Sequence, residues 1–250
     1  MGDGNLVGDR STNPMTKTAL HLNEMFVSIQ GEGPHAGEPA LFVRTALCNL
    51  SCEWCDTAYT WDWARYDRAS EVRTVDVEQA SRLVLSELPA HVRLVILTGG
   101  EPLLQQLALT ELISEVQEER PDVRFEVETN GTRAPSPGLS ALVALFVVSP
   151  KLAHSGISSG RRIRPAALNA FPPGRSVLKV VIRDGADFAE LHTVVEACGF
   201  DRDAVWVMPE GTDPALLHAR MAELVPLCIE HGYKVTGRLH VTLWGDKRGK

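Results

Sequence analysis

An α/β fold built from βα units, with a parallel sheet or barrel at its centre, is predicted by three features of the sequence. Short runs of apolar and β-branched residues alternate with longer amphipathic stretches through nearly the whole chain. Gly, Pro, Asn or Asp punctuates the ends of many of these apolar runs, as turn chemistry requires. No internal repeat or low-complexity tract stands out, and no boundary divides residues 20–245, so a single domain accounts for them.

Residues 1–18 are rich in Gly, Asp, Asn, Ser and Thr and are expected to form a mobile tail, with 19–250 as the domain and order beginning near His21. A first strand is expected over 24–30, broken by Gly31-Glu-Gly-Pro34. A second, over 40–46, delivers a cysteine-bearing loop. A loop over 56–73 contains Trp61, Trp63 and Tyr66. Asp76 then caps a helix, with Gln79 three residues on as a capping-box partner and Leu83, Val84 and Leu88 on its apolar face. A buried strand over 93–98 ends at Gly99-Gly100, a helix runs from about 102 to 119, and a strand over 124–129 ends at Asn130-Gly131.

Strands over 142–148 and 176–182 follow. A helix from about 186 stops at Gly199, placed as a C-terminal cap. A short strand spans 204–208. The Asp213-Pro214 pair opens another helix, with an apolar stripe of Leu217, Met221, Leu224, Val225 and Cys228, which stops at Gly232. Residues 238–243 alternate apolar and polar side chains and read as a closing strand.

The bulk numbers exclude several classes. Hydrophobic residues make up 44% of the chain, enough for a sizeable core. The 25 Lys and Arg against 32 Asp and Glu leave a net charge of −7, the wrong sign for a nucleic-acid surface. No apolar run is long enough to span a bilayer, and the first residues lack the apolar segment of a secretory signal. Five cysteines in 250 residues are too sparse and uneven for a disulfide framework, which points to a reducing cytoplasm.

Three of those cysteines, Cys48, Cys52 and Cys55, stand as C-x3-C-x2-C directly after the second strand. Three thiolates at this spacing can ligate three irons of a cubane iron–sulfur cluster and leave the fourth iron open to a small molecule. A structural zinc site is the alternative, but it needs a second ligand pair, and Cys198 and Cys228 are single and far apart. Those two sit on helical apolar stripes, as small core residues do. In βα architectures function collects where strands end. Here the cysteine loop, Thr98-Gly-Gly-Glu-Pro102, Glu128-Thr-Asn-Gly131, Ser149-Pro-Lys151 and Met208-Pro-Glu-Gly211 all follow strands and would share one rim. Gly99 and Gly100 permit close backbone approach.

The cysteine triad, with the aromatic Trp54 before its last member, resembles the radical S-adenosylmethionine enzymes. That resemblance implies a partial (β/α) barrel, a [4Fe–4S] cluster on Cys48, Cys52 and Cys55, and S-adenosylmethionine chelated to the open iron and cleaved to a 5′-deoxyadenosyl radical. It implies cofactor contacts from Gly99, Gly100 and Glu101 to the amino group, and from Ser149, Pro150 and Lys151 to the ribose and carboxylate. Glu128 and Asn130 would add polar contacts, and Met208 and Pro209 would line the adenine pocket.

Phe26-Val-Ser-Ile-Gln-Gly-Glu-Gly33, Pro39-Ala40, Phe42-Val-Arg44, Cys55-Asp-Thr57 and the region from His240 to Trp244 narrow the likeness to the 7-carboxy-7-deazaguanine synthases over roughly 22–245. This family contracts the ring of 6-carboxy-5,6,7,8-tetrahydropterin and expels ammonia. The likeness implies substrate contacts from Ile29, Gln30, Gly31, Glu32, Arg44, Thr98 and His240, and a magnesium ion on Thr57 with Asp56 behind it or capping a turn. An amide and a carboxylate can read the donor–acceptor edge of a pterin. Arg44 interrupts an apolar strand, which either a substrate carboxylate or an internal salt bridge would explain. The family further implies a homodimer and an electron donor such as flavodoxin or ferredoxin. Two other functions remain: an activase that places a glycyl radical on a partner protein, and a non-catalytic iron–sulfur electron carrier.

Overall fold

The computed structural model describes residues 18–250. Of the tail expected over 1–18, residues 1–17 lie outside the described residues. Thr18 belongs to the fold, since its carbonyl accepts from the Val77 N–H at 3.1 Å and its hydroxyl donates to Glu111 at 3.1 Å.

Nine strands among the described residues form one sheet. They are β1 (Ala19–Ile29), β2 (Pro39–Thr45), β3 (Arg73–Asp76), β4 (Leu94–Gly99), β5 (Arg124–Thr129), β6 (Leu145–Val148), β7 (Ser176–Ile182), β8 (Val205–Pro209) and β9 (Lys234–Val235). Their order is β3-β1-β2-β4-β5-β6-β7-β8-β9. Every pairing from β2 onward is parallel. β1 runs antiparallel to both β2 and β3, so the sheet is mixed rather than purely parallel. The edge strands β3 and β9 are not hydrogen-bonded to each other. The sheet is therefore not closed by hydrogen bonds, in keeping with a partial (β/α) barrel.

Strand periodicity sorts the side chains to two faces. Leu41 and Val43, Val95 and Leu97, Phe125 and Val127, Leu178 and Val180, and Val205 and Val207 enter the main core. There they meet Val84, Leu109, Leu112, Ile113, Leu191, Val194 and Leu224 from the helices Val77–Glu87, Gln106–Glu119, Phe188–Cys198 and Pro214–His231. Cys198 and Cys228 are buried in this core. The alternate residues Arg44, Thr98, Glu128, Lys179 and Met208 fall on the other face, where a cavity opens.

Helix ends follow local chemistry. The Asp76 carboxylate accepts from the Gln79 N–H at 2.8 Å, and that of Asp213 from the Leu216 N–H at 2.8 Å. Gly199 and Gly232 end their helices at φ 63° and 74°, a left-handed conformation that favours glycine.

Three expectations are corrected. Residues 238–243 are not a strand; Leu239–Trp244 is a helix and β9 lies just before it. The apolar alternation misleads because Val241 is buried while Leu243 and Trp244 are exposed, and the Leu239 N–H donates to the Gly31 carbonyl at 2.9 Å, off any strand ladder. Residues 73–76 form β3, a strand not expected where the loop over 56–73 ends, held by pairing with Ala19 to Leu22 of a longer β1. Residues 142–144 precede β6, because a helix occupies Pro137–Leu142. Among the described residues no helix is long and apolar enough to cross a membrane.

Phe125 is fully buried in the middle of the sheet. Phe125→Ala is expected to cost about 3–5 kcal/mol, read as a lowered denaturant midpoint with the cavity face intact.

Candidate active site

A cavity of about 490 Å³ opens where the parallel strands end, a size suited to small-molecule ligands. Most residues singled out in the sequence line it: Cys48, Cys52, Cys55, Trp54, Thr57, Ile29, Gln30, Gly31, Glu32, Arg44, Thr98, Gly99, Gly100, Glu128, Asn130, Ser149, Lys151, Met208 and His240. Glu101, Pro150 and Pro209 do not line it.

Cys48, Cys52 and Cys55 are free thiols that pack with Leu50 and Ile157. The Trp61 indole N–H donates to the Cys55 Sγ at 3.3 Å, and the Thr57 hydroxyl lies 3.6 Å from the same sulfur. Burial pushes the Cys48 thiol up to about 12 and raises Cys52 as well, so ligation there requires a metal charge in exchange for each proton. Among the described residues no three His, Cys, Asp or Glu side chains converge as a single-ion site. Three soft donors on one cavity wall, with no fourth Cys or His grouped with them among the described residues, fit a multi-iron cluster with an open position.

The cysteine loop is placed by backbone contacts. Leu47, just before Cys48, sits at φ 75°, an unfavourable conformation for leucine that surrounding contacts must impose. Its carbonyl accepts from the Glu101 N–H at 2.8 Å and its N–H donates to the Thr60 carbonyl at 2.8 Å. A Cβ on Gly100 would lie 2.0 Å from the Leu47 oxygen, and one on Gly99 would lie 2.2 Å from the Thr45 oxygen. The two glycines are therefore needed for the loops after β2 and β4 to touch.

Glu101 is turned into the protein. Its carboxylate accepts from the Leu103 N–H at 2.9 Å, the Thr129 hydroxyl at 2.7 Å and the Asn130 N–H at 2.7 Å. Burial raises its pKa against these bonds. Its side chain braces the end of β5 and does not line the cavity. Asn130 in turn donates to the Asn49 side chain at 3.0 Å in the cysteine loop. Beside the cysteines, the Lys151 ammonium donates to the Ser149 hydroxyl at 3.0 Å and lies 5.4 Å from the Trp54 ring centroid. The Trp54 indole N–H is buried without a partner among the described residues.

The opposite wall is a charge network. The Glu32 carboxylate meets Lys179 Nζ at 2.5 Å and Arg238 Nε at 3.0 Å. Lys179 also reaches Glu128 at 3.2 Å, and Arg238 pairs with Asp56. The Gln30 amide donates to Glu126 and Glu128, each at 3.2 Å, and its carbonyl accepts from the Glu32 N–H at 3.2 Å. The Thr98 hydroxyl donates to Glu128 at 2.9 Å. Burial alone would raise Glu32, but Lys179, Arg238 and His240 hold it well below the usual carboxylate range. Burial lowers His240 below its ordinary value, and Glu32, 3.9 Å away, only partly opposes this. His240 lies over Gly31, where a Cβ would come within 2.1 Å of its ring.

Arg44 Nε donates to Glu24 at 2.8 Å, across the β1–β2 pair in which the two residues are opposite. The internal partner exists, yet the guanidinium also lines the cavity. Phe26 and Phe42 stack beside it at 5.1 Å, with planes 5° apart. Sequence reasoning missed Lys179, Arg238 and Tyr59. Lys179 interrupts the apolar run of β7 as Arg44 interrupts that of β2, so the same signal marked it.

The radical SAM superfamily model matches residues 42–144, from within β2 to the residue before β6. A 7-carboxy-7-deazaguanine synthase of Pyrobaculum aerophilum is 35% identical over 232 residues, spanning 92% of this chain and 97% of its own length. The chain belongs to the 7-carboxy-7-deazaguanine synthase family. A member from Halobacterium salinarum is 38% identical over 253 residues, 91% of each chain. The crystal structure of QueE from Escherichia coli shares the fold at a TM-score of 0.67 and 22% identity, covering 89% of this chain and 95% of that one. Membership of the radical SAM superfamily implies a [4Fe–4S] cluster and S-adenosylmethionine, which the cysteine wall of this family member fits.

Two outcomes are expected. Gly100→Ala cannot keep the contact with Leu47; a loss of about 1–3 kcal/mol should accompany reduced iron uptake on reconstitution, measured as iron per chain. Glu32→Gln leaves Lys179 and Arg238 short of a partner and should cost about 3–5 kcal/mol at neutral pH. A depressed carboxylate contributes stability above its ordinary value of 4.5 and loses it as pH falls below. The stability gap between wild type and variant, measured by denaturant titration, should therefore narrow in acid.

Proposed function

We propose that this chain converts 6-carboxy-5,6,7,8-tetrahydropterin to 7-carboxy-7-deazaguanine with loss of ammonia, as a radical S-adenosylmethionine enzyme of 7-deazapurine biosynthesis. The observation that carries the reading is a single cavity with the cysteine triad on one wall and a buried charge network with Arg44 on the other. When bound, the cluster and S-adenosylmethionine supply a carbon radical able to take hydrogen from C6 of the pterin.

The protein's own residues then bind and orient. Arg44 Nη nitrogens take the substrate carboxylate as a fork while Nε stays on Glu24. Phe26 and Phe42 give the adjoining apolar wall. Glu128, held by Gln30, Thr98 and Lys179, accepts from the N–H groups of the pterin edge. Gln30 and Glu32 act mainly by fixing this carboxylate and Lys179, since their own bonds are taken within the protein. His240 adds a polar edge above Gly31. Thr57 with substrate oxygens and water suits magnesium, which takes few protein ligands. Ser149, Lys151 and the Gly99-Gly100 backbone hold S-adenosylmethionine, with Met208 on the adenine side. Pro150 and Pro209 shape the flanking turns. A homodimer, an electron donor such as flavodoxin or ferredoxin, and a single domain over 19–250 complete the reading on the strength of the family resemblance.

An electron carrier would leave the charged wall without a use, and an activase would have no need of a fork for a small carboxylate. The test is an anaerobic assay of reconstituted, reduced protein with S-adenosylmethionine, magnesium and the carboxytetrahydropterin, read by mass. The deazaguanine product is expected. Release of 5′-deoxyadenosine alone would overturn the substrate, and neither product would overturn the radical chemistry. Alanine at Cys48, Cys52 or Cys55 should abolish turnover. Arg44→Ala should weaken substrate binding by about 2–3 kcal/mol, roughly 30–150-fold, in a direct titration.

A further inference from the structure

Residues 245–250 follow the helix Leu239–Trp244 and line the same cavity as the cysteines. One side chain pins them. Arg248 Nε donates to Glu24 Oε2 at 2.9 Å, and its two Nη nitrogens donate to Glu71 at 3.1 and 2.8 Å and to the Asn23 side chain at 3.0 Å. Its guanidinium carbon lies 4.0 Å from the Tyr59 ring centroid, within cation–π range.

Glu24 is the node. Its Oε1 accepts from Arg44 Nε at 2.8 Å and from the Tyr59 hydroxyl at 3.2 Å, while Oε2 is taken by Arg248. One carboxylate is thus shared by a guanidinium that lines the cavity and another on the C-terminal segment. Among the described residues the Arg44 Nη nitrogens have no protein acceptor.

A guanidinium and a carboxylate left to themselves form a two-point fork. Such a fork would consume the Arg44 nitrogens and cancel most of their attraction for another anion. With Arg248 on Oε2, Glu24 holds Arg44 through Nε alone. The charges also balance: Glu24 and Glu71 face Arg44 and Arg248. Without Arg248, two carboxylates would stand against one guanidinium beside a site meant for an anion.

We propose that Arg248 is a positioning residue for recognition of the substrate carboxylate, acting through Glu24 to keep the outer nitrogens of Arg44 available to the cavity. This rests on the role given to Arg44 under the proposed function. The effect is electrostatic and local, and it is directed at the carboxylate rather than at the pterin ring.

The test is equilibrium binding of two fluorescent pterins, one with and one without a 6-carboxylate, to the wild-type chain, Arg248→Ala and Arg248→Lys. Wild type should prefer the carboxylated ligand. Arg248→Ala should lose about tenfold of that preference, a 1.4 kcal/mol change, with affinity for the uncarboxylated ligand unaltered. Arg248→Lys keeps the charge and should keep most of the preference. A full preference in Arg248→Ala, an equal loss for both ligands, or a lysine variant as poor as alanine would overturn the positioning role alone. No preference in wild type would overturn the reading of Arg44, and the positioning role with it. Thermal melts of the three proteins identify any variant whose binding loss comes from unfolding.

Discussion

Charge carried on the cavity face of the sheet must be matched inside the protein, because an unpaired ion taken from water costs several kcal/mol. β5 alternates Phe125 and Val127 into the core with Glu126 and Glu128 onto the other face, and β7 does the same with Lys179 between Leu178 and Val180. The pleat thus delivers opposite charges to a shared depth from different strands. Gln30, Glu32 and Arg238, from the loop after β1 and the segment after β9, complete the set. Removing any one member leaves others short of a partner, which is why these positions behave as a unit.

The cysteine wall and the charged wall are joined through backbone and side-chain hydrogen bonds of the protein itself. Gly99 and Gly100 let the loop after β4 reach the Leu47 carbonyl, and Glu101 passes the connection to Thr129 and Asn130 at the end of β5. Asn130 returns it to Asn49, between Cys48 and Cys52. The cysteine loop is held from both sides, so the sulfurs have a defined place relative to Glu128 and Arg44. The Glu101 side chain is the brace of this junction.

Much of the fold was legible because strands with strict alternation or continuous apolar runs leave a local signature, as in residues 124–129 and 176–182. β3 and β9 lacked it: each is short, partly charged, and exists through pairing with a neighbour distant in sequence. The segment after Gly237 showed the reverse error, a strand-like alternation on a chain that folds as a helix whose His240 lines the cavity. The site was legible wherever a motif or a charged interruption of a strand marked it. Arg44 was found this way, and Lys179 could have been. Arg238 was not, because its partners Glu32 and Asp56 lie 206 and 182 positions away.

The contact of Arg248 with Asn23 spans 225 positions, nearly the full described length, and it has a consequence for biosynthesis. The ribosome releases β1, β2 and the cysteine loop early, and the sheet can grow outward from them by adding each βα unit in turn. The rim formed by Asn23, Glu24 and Tyr59 waits for residues beyond Trp244 before it acquires its last charge. Nascent chains halted a few residues short would fold to the same outline, with a rim poorer by one guanidinium.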